Sequence, residues 1–164
     1  MVRMVLVVVV MVVALLGTAA AAFAAEEETI TVWITGYSFQ DNQGGNNARI
    51  CCGAVHPEAG GSGTFDDPIT VAVPGRGGRG MQTPAGVRFY APHLRRYLIV
   101  EDSGASASAQ VHLDVYVGGA GLPRSASDRC MNQITSRSAP VIRNPRPGYP
   151  VTAGPLTGPN GCHI

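Results

Sequence analysis

The segment "EDSGASASAQVHLDVYVGG", Glu101 to Gly119, ends in a strand of strict alternation with an aspartate in its middle. Side chains of a strand alternate between its two faces, so Val111, Leu113, Val115 and Val117 share one face. His112, Asp114 and Tyr116 share the other. The apolar row is a core face. The polar row sets a carboxylate between an imidazole and a phenol, both able to hydrogen-bond a carboxyl group or a sugar hydroxyl. Such a row is either a solvated surface or one wall of a site. Asp114 has aliphatic neighbours and no local turn to cap, which favours the wall. Upstream, Asp102 precedes Ser103 and Gly104, where the chain is expected to turn. That places its carboxylate at a strand end, near backbone amides, as a turn cap or as a second member of the same site.

The same short alternation recurs on the N-terminal side. "TITVWITGY" (Thr29 to Tyr37) sets Ile30, Val32 and Ile34 against Thr31, Trp33 and Thr35. "PITVAV" (Pro68 to Val73), "GVRFYAP" (Gly86 to Pro92) and "RYLIVED" (Arg96 to Asp102) follow at intervals filled by Gly, Pro, Asn and Ser. "QDNQGGNN" (Gln40 to Asn47) and "GRGGRG" (Gly75 to Gly80) read as loops. Short strands separated by turn signals argue an all-β barrel or sandwich. Residues 120–164, rich in Pro and Gly, read as an irregular C-terminal extension packed on the barrel, with a short helix near "DRCMNQIT".

At the N-terminus, Arg3 precedes an apolar run from Met4 to Leu16, and "AFA" (Ala22 to Ala24) follows. The run is short for a membrane span and ends at a small-x-small cleavage pattern, so Met1 to Ala24 reads as a signal peptide. Its removal leaves 140 of the 164 residues, enough for one domain with a real core. The remainder carries 11 Arg, no Lys, and 11 Asp plus Glu, a formal charge of zero. A neutral surface does not suit nucleic acid or an anionic membrane. It suits a neutral polymer such as a polysaccharide. The four cysteines fit disulfides of an exported chain better than a metal site, because no C-x-x-C spacing is present. A Cys130–Cys162 staple is the expected pair, and Cys51 and Cys52 are left open. No cofactor or metal is implied.

Other polar residues read as structural. Asp67 in "GTFDDPIT" stands before Pro68, a turn-starting pair. His56 and His93 are isolated from any nucleophile or ligand spacing. Trp33, Tyr37 and Tyr90 can stack on sugar rings, though strand aromatics mostly fill cores.

Taken together, "GTFDDPITVAVPG", "GVRFYAPHLRRYLIVEDSGA" and "VHLDVYVGG" resemble the double-psi β-barrel of the three-aspartate (3D) type. That barrel occurs in the lytic transglycosylase A family and, more distantly, in family 45 endoglucanases and expansins. The resemblance covers roughly residues 30–119, with 25–119 as the barrel domain. It implies a six-stranded double-psi barrel with Asp114 as catalytic acid, Asp102 lining the groove and Asp67 as the first aspartate. Tyr37, His112 and Tyr116, with Asp67, would contact substrate. Two departures stand out: no larger second domain is visible, and "DSGASASAQ" replaces a glycine-rich connection. The implied protein is a secreted or wall-associated monomer, without a stable membrane anchor, that cleaves peptidoglycan or another wall glycan. The alternative is a non-catalytic, expansin-like module that binds or loosens the polysaccharide. A third possibility is a protein-binding scaffold.

Overall fold

In the computed structural model, residues 25–77, 80–159 and 161–164 are described. The expected signal peptide lies outside them. The strands are β1 (Glu28–Tyr37), β2 (Ile69–Pro74), β3 (Arg88–Ala91), β4 (Arg96–Ala105) and β5 (His112–Tyr116). Helix α1 (Arg124–Ile134) and β6 (Ser136–Arg143) follow, and a two-residue pair, β7 (Thr157–Gly158) and β8 (Gly161–Cys162), closes the chain. The six long strands form a closed barrel in the order β1-β5-β2-β4-β3-β6. Two pairs are parallel, β1 with β5 and β2 with β4, and the remaining neighbours are antiparallel. Closure leaves no sheet edge to protect. Among the described residues, no helix is long and apolar enough to cross a membrane.

Alternation places the core. Val32, Ile34, Val71, Val73, Leu98, Val100, Leu113, Val115 and Val141 are fully buried and belong to one cluster. Each such side chain contributes about 1.5–3 kcal/mol. Gly36 lies within β1 where α1 packs against it. A Cβ at this position would lie 3.0–3.1 Å from Met131 and Ile134. Helix and tail are joined by the expected Cys130–Cys162 disulfide, and Cys51 is bonded to its neighbour Cys52.

One boundary differs from the sequence reading. The stretch 120–164 is not wholly an irregular extension, because it supplies both α1 and β6, the sixth barrel strand. Pro140 hides that strand from a pattern reading, since proline cannot donate to a ladder. The structure tolerates it because Pro140 pairs only with Thr31 of β1, while β3 pairs β6 further on, at Ile142 and Arg143.

Candidate functional site

The parallel register of β1 and β5 aligns Trp33 with His112, Thr35 with Asp114 and Tyr37 with Tyr116. Because both strands alternate, the two polar rows become neighbours pair by pair. Trp33 stacks on His112 at 3.8 Å and 11°. The Thr35 hydroxyl donates to Asp114 Oδ1 at 2.5 Å. The Tyr37 and Tyr116 rings are tilted together at 5.2 Å. The row is therefore built into the barrel and is not a solvated face.

On the other side of β5 lies β2, where Ala72 pairs with Asp114. The same Ala72 pairs with Asp102 of β4 on its opposite flank. The β2–β4 register slips between Val71 and Ala72, so that Val100 and Asp102 find partners and Glu101 is the extra residue. Such a bulge re-aims the side chains around it. Asp102 turns toward Asp114, with Ala72 between them. Glu101 turns to the loop before β2.

Tyr37, Asp41, Asn42, Ala72, Asp102 and Asp114 line a hollow of about 400 Å³. A second hollow of about 460 Å³ adds Arg49, Ile50 and Cys51 and shares Asn42, Gln43, Asp102 and Ser103 with the first. The two make one groove passing over Asp102. The loop after β1 forms its rim. Asp41 Oδ1 accepts from the Ser38 backbone N–H at 2.5 Å and the Ser38 hydroxyl at 2.7 Å. Asn42 Nδ2 donates to the Arg49 carbonyl at 2.9 Å.

The two carboxylates have different surroundings. Asp102 Oδ1 accepts from the backbone N–H of Cys51 at 3.1 Å and of Ser103 at 2.8 Å, and the Tyr37 hydroxyl reaches Oδ2 at 3.4 Å. Burial raises the Asp102 pKa, and these donors oppose the rise. Burial also raises that of Asp114, opposed by the Thr35 bond and by His112 and reinforced by the negative charge of Asp41 and Asp102. Asp114 thus has a single hydroxyl donor to favour its charged form, whereas three groups donate to Asp102. Tyr37 is pushed upward by burial and by the same two aspartates, so it stays a donor.

Asp102, Asp114 and Tyr37 meet at the groove; the other candidates do not. Asp67 lines neither hollow. Its Oδ1 faces His56 Nε2 at 2.9 Å and its Oδ2 accepts the Ser62 N–H at 2.8 Å. The other His56 nitrogen lies 2.7 Å from Glu101 Oε2, so His56 bridges two carboxylates and clamps its loop to the barrel. Glu101 is fully buried and also accepts the backbone N–H groups of Ala54, Val55 and His56. His112 is only 2% exposed and sits behind Asp114, out of reach of a ligand. Tyr116 opens on a separate hollow with Ile69 and Leu156, and burial pushes its pKa up to about 12. Trp33 is flanked by His112 and by Arg137, whose guanidinium carbon lies 4.0 Å from the ring centre. Tyr90 stacks on Tyr149 at 4.7 Å, away from the groove.

Asp102 also lies within β4, which continues through Gly104 to Ala105, and not at its end. Sequence reasoning missed Thr35, Ala72 and Asp41. The signal for Thr35 was its place on the polar row of β1; Asp41 carried only the composition of a loop.

All of the barrel but Glu28 falls within a match, over residues 29–163, to the family model described as the DDB_G0273701 N-terminal domain. The chain is also 28% identical over 131 residues to a Dictyostelium discoideum protein described as uncharacterized, DDB_G0273701/DDB_G0273221. That alignment covers 76% of this chain and 55% of the relative, so the chain spans about half the relative's length. No solved structure matches. With most of the chain and all four cysteines inside the matched range, the chain belongs to the DDB_G0273701 N-terminal domain family.

Proposed function

We propose that this protein is an exported double-psi barrel of the three-aspartate type that cleaves a cell-wall glycan, peptidoglycan foremost, with Asp114 as general acid and then base. The observation that carries this reading is the placement of Asp102 and Asp114 in one open groove, on either side of Ala72. Burial raises the pKa of Asp114 and so favours the protonated form that donates to the glycosidic oxygen. Once that proton has left, the Asp114 carboxylate takes the proton of the attacking C6 hydroxyl of the muramic acid, and an anhydro sugar results. In its carboxylate form, favoured by its three donors, Asp102 beside it steadies the positive charge that develops on the sugar ring. Asn42, Gln43, Arg49 and Ser103 supply polar contacts along the groove for neutral sugar hydroxyls. Two disulfides among the described residues favour an oxidising compartment.

Hydrolysis through both aspartates is the neighbouring possibility. Their backbones are two strand spacings apart, about 10 Å, and the carboxyl separation needed is about 5–5.5 Å for retention or 6.5–9.5 Å for inversion. Digestion of isolated sacculi separates the readings. Release of 1,6-anhydro ends supports the transglycosylase, and release of ordinary reducing ends supports the hydrolase. Binding without release of either overturns cleavage in favour of an expansin-like module.

A further inference from the structure

Three contacts run in line behind Asp114. Thr35 Oγ1 lies 2.5 Å from Asp114 Oδ1 and 2.8 Å from His112 Nε2, and His112 Nδ1 lies 2.9 Å from the Ser106 carbonyl oxygen. A carbonyl oxygen only accepts, so Nδ1 carries a hydrogen in every state. Thr35 has one hydrogen and faces two groups. If it donates to an ionised Asp114, Nε2 must donate to Thr35, and His112 is an imidazolium. If it donates to Nε2, His112 is neutral and the Asp114 carboxyl must itself donate to Thr35. Both arrangements contain the same number of protons. They differ only in where one proton sits and which way the Thr35 hydroxyl points.

We propose that Asp114, Thr35 and His112 form one proton-sharing unit, in which Thr35 passes a single proton between the groove carboxyl and the buried imidazole. The proposal rests on the reading of Asp114 as the acid of the site and extends it: His112 and Thr35 are positioning residues that act through Asp114. As the proton moves from Nε2 to Thr35 Oγ1, the Thr35 hydrogen moves to Asp114 Oδ1, and charge is conserved. With His112 only 2% exposed, Asp114 is the end at which the unit meets the groove.

The groups facing the unit come from several elements. Asp102 of β4, Asp41 of the loop after β1 and Tyr37 of β1 face Asp114. Trp33 of β1 covers the His112 ring, and Arg137 of β6 lies over Trp33. The two neighbouring carboxylates favour retention of the shared proton, and Arg137 opposes it.

The test needs no substrate, so its outcome is independent of whether the protein cleaves glycan. Nuclear magnetic resonance on the full exported chain follows the His112 ring nitrogens and the Asp114 carboxyl carbon across pH. Coupled groups titrate in shared macroscopic steps, so each step should register in both probes of the wild type. Thr35→Val should split them, with each probe following its own step, and Thr35→Ser should restore the shared steps. Independent titration in the wild type, or shared steps that persist in Thr35→Val, would overturn the relay. Because Ser keeps the hydroxyl, a Thr35→Ser protein that folds but shows split steps overturns it as well.

Discussion

Asp102 and Asp114 stand in register on the two flanks of Ala72, one on a parallel neighbour of β2 and the other on an antiparallel one. The smallest apolar side chain thus lies between two carboxylates and forms the floor of the groove. Replacing it with Leu should fill that floor. Ala72→Leu is expected to abolish binding and cleavage of wall glycan while circular dichroism stays that of the wild type, and Ala72→Ser should retain both. Glycan pull-down with the two variants checks this.

The pH dependence of Asp114 has a definite sign. Burial raises its pKa in the folded protein above the unfolded value. Its contribution to stability is therefore complete below the unfolded value of about 3.9 and is lost as pH rises through the folded one. At neutral pH, above the unfolded value, Asp114 costs stability relative to acid pH. Asp114→Asn should melt at or above the wild-type temperature at pH 7, the gain vanishing toward pH ~4. Val115→Asp, on the opposite, fully buried row, should instead unfold the barrel, because an unpaired buried carboxylate costs several kcal/mol of a total of about 5–15. Thermal melts over a pH series distinguish the two.

The His56 clamp should shape the rest of the profile. Burial opposes protonation of His56, but its bonds to Glu101 and Asp67 outweigh it and raise the pKa above 6.5. That contribution is present below 6.5 and lost as pH rises through the folded value. Glu101 is opposed by burial and lowered by His56, the loop N–H groups and Thr70, and Asp67 is lowered chiefly by Ser62 and His56. Their contributions exist above 4.5 and 3.8 respectively and fail as pH falls through the folded values. The clamp is strongest between 4.5 and 6.5. Glu101→Gln should cost roughly 3–5 kcal/mol in urea unfolding near pH 6. His56→Gln should flatten the loss on the alkaline side.

The two disulfides should differ in weight. Cys130–Cys162 spans 32 residues and ties α1 to β8, so Cys130→Ala with Cys162→Ala should lower stability by about 2–4 kcal/mol. Cys51–Cys52 closes no chain loop, and replacing both with Ser should change stability by less than about 1 kcal/mol. Denaturant midpoints for the two double variants measure the contrast.

What was legible in the sequence was what local alternation controls. The apolar rows of β1 and β5 are buried as their period requires, and Asp114 faces away from the core with Asp102 near backbone amides. The pairing of polar rows was not legible, because the parallel β1–β5 register joins residues some eighty positions apart and is set by barrel closure. That register turned His112 inward to Thr35 and left Tyr116 on another hollow. The bulge at Glu101 was hidden for a similar reason. Reading "VED" alone does not say which acid faces the groove, and only the slip against Val71 and Ala72 sends Asp102 there and Glu101 to His56. Asp67 looked comparable to the other aspartates in sequence, yet the loop clamp takes it.

In the proposed mechanism Asp114 supplies the proton that breaks a wall glycan. Its most direct test compares product release from purified sacculi by wild type and Asp114→Asn, with sacculus binding measured on the same samples. Anhydro-muropeptides are expected from the wild type, with a loss of about 10²–10⁴-fold in the variant, as for removal of a general acid, and unchanged binding. Equal product release by the two proteins, or none by the wild type from any wall polymer, would contradict it.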